Sequence, residues 1–290
     1  MFKKVMVVID LQADHQFALE KSLQLARSDE FELVLFSCEH DQYLTDGYYF
    51  DAADVERLRA AAIEERMTAL EEIADPLRAN GLDVTTVAEW AYPNYEGVID
   101  QAEKQNVDLV IYHIEHRDSM SRLMLTYDDW QIIRLCPTPL MLVKNTPWKQ
   151  CPTIMAAVDP QHGRHKPSGL DHKLLDVCEH LGELMGGEVF AVHAFRPVPL
   201  SGTYPIEVKK EHEESFRKLM SEFNVAEDHQ LLIEDIPPVA LREAEQQLDT
   251  DIIAMGAISR SLVSDVIIGS TTQEVLGFLN CDILVLKPDA

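Results

Sequence analysis

Gly256, Gly269 and Ser270 are spaced as a phosphate cradle requires. Residues 251–287 read DIIAMGAISRSLVSDVIIGSTTQEVLGFLNCDILVLK. An apolar run, Ile252 to Met255, ends at Gly256, and a polar loop leads to Gly269-Ser270. A helix-like segment and a second apolar run, Ile283 to Leu286, follow. Gly256 can adopt positive φ and lets a ligand come close to the backbone. Gly269 and Ser270 sit where a helix begins, and a helix start offers unpaired N–H groups and a positive dipole end. Ser270 can cap that helix and donate its hydroxyl to a phosphate oxygen. Gln273, three residues on, completes a capping-box pattern, so the same residues also fit a plain helix start.

The stretch occurs twice. Residues 108–144 read DLVIYHIEHRDSMSRLMLTYDDWQIIRLCPTPLMLVK, and align without a gap from Asp108 on Asp251 to Lys144 on Lys287. The opening runs repeat as well, VMVVID at 5–10 and IMAAVD at 154–159. A period this long is a domain duplication, since solenoid repeats run about 20–50 residues. The copies differ where chemistry is expected. His113, His116, Thr126 and Tyr127 stand in the first half for Gly256, Ser259, Gly269 and Ser270. Asp128 and Asp129 then occupy the helix start, where their carboxylates can satisfy the N–H groups and repel an anion. Phosphate binding is expected to be lost there, and Asp10 persists as a strand-end residue.

These residues need elements to hold them. The first half carries apolar runs at Val5–Ile9, Leu33–Phe36, Val84–Val87, Leu109–Tyr112 and Leu140–Val143. The second carries them at Ile154–Val158, Val189–Val192, Leu231–Ile233, Ile252–Met255 and Ile283–Leu286. Unbroken apolar runs suit strands covered on both faces, as in parallel sheets. Between them, Ile63, Met67, Leu70 and Ala74 recur at helical spacing, as do Val208, His212, Phe216, Leu219 and Phe223. The alternation predicts two tandem Rossmann-like α/β domains, 1–144 and 152–290, each with a five-stranded parallel sheet. The proline-bounded stretch Asn145–Pro152 links them. Ligands of such sheets bind beyond the carboxyl ends of the strands. That points to Asp159, His193-Ala194 and Gly256.

Gly256-Ala-Ile-Ser259, nine residues and Gly269-Ser270 together are similar to the G-2x-G-9x-G-[S/T] motif of the universal stress protein family. Ser259 stands where the ATP-binding members carry a second glycine. The closing segment, Cys281 to Pro288, resembles that of the family's tandem-domain subgroup. The resemblance spans both halves and implies adenine-nucleotide hydrolase-like domains and a cytoplasmic stress-response role, regulatory rather than enzymatic. It also implies ATP or another adenine nucleotide bound only by the second domain. Asp159 and Ala194 would lie at the adenine, with Gly256, Ser259, Gly269, Ser270 and Thr271 along the phosphates. If Ser259 has positive φ, its Cβ costs on the order of 1 kcal/mol and weakens binding without abolishing it.

Composition limits the alternatives. The formal net charge is −25, with 14 basic and 27 acidic residues in 1–150 and 11 and 23 in the rest. Neither half is a basic module, so nucleic acid and anionic membranes are not expected as direct partners. A protein partner and self-association stay open. MFKKVMVVID has five apolar residues before Asp10, too few for a signal-peptide core. No apolar run nears the ~20 residues of a membrane helix. Five cysteines without a CxxC read as reduced thiols. His113 and His116, with Glu115 between them, would lie on a loop without an evident third ligand for a metal, so no metal cluster is expected. Gln161-His-Gly-Arg-His-Lys166 is a basic island that reads foremost as a solvated loop and could also reach phosphates. Two further functional readings remain. One is an interaction scaffold whose site has decayed in both halves. The other, ranked last, is a slow ATPase, for which no general base stands by the phosphate loop.

Overall fold

The computed structural model describes residues 2–27, 31–40, 51–114, 125–161, 169–196, 205–257, 274–277 and 279–288. All ten apolar runs are strands. In the first half they are β1 (Lys4–Val8), β2 (Glu32–Glu39), β3 (Val84–Trp90), β4 (Leu109–His113) and β5 (Leu140–Val143). In the second they are β6 (Thr153–Ala157), β7 (Glu188–Phe195), β8 (Gln230–Glu234), β9 (Ile252–Gly256) and β10 (Asp282–Leu286). The helices between them are α1 (Phe17–Ala26), α2 (Ala52–Ala79), α3 (Asn94–Lys104) and α4 (Tyr127–Leu135), then α5 (Leu170–Met185), α6 (Pro205–Met220) and α7 (Pro237–Leu248).

The strand order is β3-β2-β1-β4-β5 in the first half and β8-β7-β6-β9-β10 in the second. These are one topology met twice. The registered pairs are parallel: Val7 of β1 pairs with Leu35 and Ile111, and Ala157 of β6 pairs with Val192 and Met255. One bond also recurs just past the first strand of each half. Ile9 N–H donates to Phe36 O at 2.7 Å, and Val158 N–H to Val192 O at 3.0 Å. The chain runs from the first strand of each half to one neighbour and returns on the other side. That reversal opens a crevice at the carboxyl ends.

The core sits where the unbroken apolar runs put it. Val5, Met6, Val7, Leu109, Val110 and Ile111 are fully buried, and every residue of β10 is buried. Helix starts and stops follow local chemistry. Asp51 caps α2 by accepting the Asp54 N–H at 2.8 Å. Prolines open α7, where a missing N–H costs nothing. Gly169 (φ 106°) and Gly186 (φ 62°) bound α5 in left-handed backbone that favours glycine. Leu174, Leu175, Val177, Cys178 and Leu181 of α5 are fully buried.

Of the described residues, 2–114 and 125–140 form one compact unit and 141–288 the other. The last residues of β5 and the stretch after it therefore pack with β10. Lys144 N–H donates to Asp282 Oδ1 at 2.8 Å, and Trp148 Nε1–H to Asp282 Oδ2 at 2.8 Å. Lys144 Nζ reaches Leu279 O. All three side chains are buried, so the linker is seated through its own polar groups.

Candidate functional site

Asp159, Ala194 and Gly256 reach the same end of three adjacent strands. Ala157 lies level with Val192 and Met255, so His193 and Gly256 flank Val158 one residue further on, and Ala194 stands beside Asp159. Asp159 is half-exposed, and its N–H donates to Asp171 Oδ1 of α5 at 3.1 Å. Ala194, also half-buried, pairs with Ile233 of β8. Ser259, Gly269, Ser270, Thr271 and Gln273 lie outside the described residues, as do Glu115, His116 and residues 162–166 of the basic island.

The structure corrects the reason for glycine at 256. Among the described residues the glycines with left-handed φ are Gly81, Gly169 and Gly186, and Gly256 is not one of them. What demands glycine is a close approach. A Cβ at 256 would lie 2.6 Å from Leu170 Cδ2 and 3.2 Å from Leu170 Cγ. Leu170, the first residue of α5, is 2% exposed and packs directly on the Gly256 backbone. Sequence reasoning could not see this, because nothing near Leu170 marks it as a partner of residue 256.

A histidine pair was also missed. His193, 1% exposed, places Nδ1 3.1 Å from Val158 O and Nε2 2.8 Å from His212 Nδ1. A carbonyl only accepts, so His193 Nδ1 carries hydrogen and its Nε2 accepts from His212 Nδ1–H. Phe195 stacks on His212 at 4.7 Å, and Phe216 lies 5.8 Å from His193. Burial holds His193 below the usual histidine range, against the pull of the Asp159 and Asp171 carboxylates. Gln161 ties the loop after β6 to the same helix, donating to Glu211 O at 2.8 Å and Ser215 Oγ at 2.7 Å. The available signal was a strand-end histidine together with His212 on the apolar stripe of α6.

The corresponding end of the first half is closed. Thr126 and Asp129 form the capping box of α4: Asp129 N–H donates to Thr126 Oγ1 at 3.2 Å, and Thr126 N–H to Asp129 Oδ2 at 2.7 Å. The expectation that acidic side chains satisfy this helix start holds for Asp129. Asp128 is left with its carboxyl raised above the usual range, by burial and then by the charge of Asp129. Burial and Asp129 likewise raise the Tyr112 hydroxyl. His113, at the position of Gly256, packs on Phe17 with ring centres 5.3 Å apart. Asp10 is exposed and accepts from Gln12 N–H at 2.9 Å, a local turn.

Comparison with known proteins accounts for the duplication. The model of the universal stress protein family matches residues 1–144 and again 152–287. The chain belongs to the universal stress protein family. Universal stress protein E of Escherichia coli strain K12 is similar over 300 residues at 23% identity, covering 100% of this chain and 95% of that protein. A universal stress protein E homolog of Haemophilus influenzae is 22% identical over 302 residues, covering 99% and 98%. Among solved structures, a functionally unknown protein from Pseudomonas aeruginosa PAO1 superposes with TM-score 0.80 at 23% identity, covering 99% of this chain and 93% of that one. A universal stress protein from Archaeoglobus fulgidus superposes with TM-score 0.72 at 15% identity, covering 98% of each. These likenesses establish the fold: tandem α/β universal stress protein domains with parallel strands.

Both universal stress protein domains carry the same bracket at the opposite end of the sheet. Asp108 Oδ2 accepts the N–H of Lys3 at 2.8 Å and of Lys4 at 3.0 Å. Asp251, its repeat partner, accepts Thr153 N–H at 2.8 Å and Lys149 N–H at 3.0 Å. Each aspartate fastens the start of the fourth strand to the chain entering the first. The five cysteines are free. Burial lifts the Cys38 thiol to about 11 and that of Cys178 to about 12, so neither is a nucleophile at neutral pH. Among the described residues no three His, Cys, Asp or Glu side chains gather as a metal requires, and no helix is long and apolar enough to cross a membrane.

Proposed function

We propose that this chain is a cytoplasmic stress-response regulator whose second domain binds ATP or another adenine nucleotide and whose first domain does not. The observation that carries the reading is the meeting of Asp159, Ala194 and Gly256 at the switch point between β6 and β9. Asp159 and Ala194 would face the base. Gly256, Ser259, Gly269, Ser270 and Thr271 would line the phosphates with backbone N–H groups and hydroxyls. In the first domain the capping box of Thr126 and Asp129 uses the helix donors that a phosphate would need. The nucleotide state would then be passed to a protein partner.

Calorimetric titration with ATP, together with mass spectrometry of ligand released from purified protein, tests this. Wild type should bind one equivalent. Gly269→Trp should abolish binding by filling the turn, and Thr126→Val should leave it intact. The reverse pattern overturns the site. One observation favours a second reading: Leu170 gives Gly256 a packing role that needs no ligand. If wild type shows neither heat nor co-purified ligand, the domains act as an interaction scaffold.

A further inference from the structure

The face of α6 turned to the sheet carries His212, Ser215, Phe216 and Leu219, at helical spacing. Phe216 and Leu219 are 5% and 6% exposed, which is ordinary packing. The polar contacts of the same face are less ordinary. Ser215 Oγ and Glu211 O hold Gln161, and His212 holds His193. Both pairs bridge α6 to the carboxyl ends of β6 and β7.

The His193–His212 contact admits one hydrogen between its two nitrogens. In the neutral pair, His193 Nδ1–H is committed to Val158 O, and His212 Nδ1–H lies between the rings. A first added proton goes to His212 Nε2 and leaves that bond in place, now charge-assisted. A second has only His193 Nε2 to go to. There its N–H would face the N–H of His212 across 2.8 Å, and the bond would become a repulsion. The closed pair therefore holds one added proton, and the separated pair holds two. The charged groups facing His193 are Asp159 at the end of β6, Asp171 on α5 and His212 on α6. The two carboxylates favour the first proton and cannot relieve the clash created by the second.

We infer that His193 and His212 form a proton-operated latch that holds α6 over the strand ends of the second domain, and that acidification opens it. The latch adjoins the Asp159 end of the proposed nucleotide site, but neither its logic nor its test requires a nucleotide. Opening takes up one proton more than the closed form holds. Below the ordinary histidine value of about 6.5, the opening constant therefore rises by up to about tenfold per pH unit. Opening would uncover Phe195 and Phe216 and free the loop held through Gln161.

Hydrogen exchange of the full chain at pH 7.5 and 5.5, corrected for intrinsic rates, reads the latch directly. Residues 205–220 should lose about tenfold protection relative to α5 in wild type. His193→Phe fills the buried site but takes no proton, and leaves His212 to hold its one added proton in both forms, so it should remove the pH dependence. Protection of α6 that is unchanged by pH in wild type, or a pH response that survives in His193→Phe, overturns the inference. If that variant does not fold, histidine ring-nitrogen NMR of wild type decides. One proton entering the pair before α6 opens supports the latch. Two independent titrations with α6 still protected refute it.

Discussion

The first residue of α1 and the first residue of α5 occupy the same place in the two domains, and they meet different partners. Phe17 packs on His113, and Leu170 packs on Gly256. In the first domain two rings fill the carboxyl end of the fourth strand, and a capping box closes the helix start beyond it. In the second domain the strand end is bare backbone beneath one leucine. The opposite ends of the sheets do not diverge in this way: Asp108 and Asp251 make the same bracket. Duplication has kept the residues that fasten the sheet and replaced those at its carboxyl end. This is the division expected when strands serve stability and loops beyond their carboxyl ends serve ligands.

The shared bracket is the place to break both domains alike. Asp251→Ala strands two N–H groups and should cost about 3 kcal/mol, read as a shift of the denaturant midpoint. Asp108→Ala should cost less, because Asp251 also pairs with Lys149. Equal, negligible effects from both would show that the bracket is incidental. The divergent end should respond asymmetrically. Gly256→Ala forces a methyl into Leu170 and should cost about 1–3 kcal/mol. Leu170→Ala alone should cost about 2–5 kcal/mol through its cavity. The double variant should lose clearly less than the sum of the two, because the added methyl enters the space the leucine leaves. Strict additivity would mean that the contact does not set the glycine requirement.

Much of this was legible in the residues. The ten apolar runs fixed ten strands because parallel strands buried on both faces must be apolar throughout. The ungapped echo from Asp108 to Lys144 and from Asp251 to Lys287 announced the duplication. The acidic start of α4 was legible because a capping box is local. What escaped depends on contacts that cross the fold. Leu170 meets Gly256 from 86 positions away, and His193 meets His212 across a strand–helix crossover. Lys144, Trp148 and Asp282 looked like a linker and a strand start, and only folding joins them. No periodicity encodes such pairs, since each residue fits its own element for an independent reason.

Asp128 gives the finest test of how the first domain became closed. Two effects oppose each other at this helix start. The helix dipole favours a carboxylate in the first turn. Partial burial and the neighbouring Asp129 disfavour it and raise the Asp128 carboxyl. A carboxyl raised in the folded state binds its proton more readily there than in the unfolded chain. The native state is therefore penalised at pH values above its folded pKa. That penalty fades as pH falls toward the ordinary value of 3.8, where both states protonate. Asp128→Asn should stabilise the protein at pH 7 by about 0.5 kcal/mol, a small gain because solvent still screens a half-buried group. The gain should be lost below the ordinary value of 3.8, and chemical denaturation at pH 7 and at about pH 3 measures it. A loss at pH 7 instead would mean that the dipole prevails and that Asp128, like Asp129, is there to cap the helix. A gain would mark Asp128 as a charge kept against the interest of the fold, at the point where the second domain is proposed to receive a phosphate.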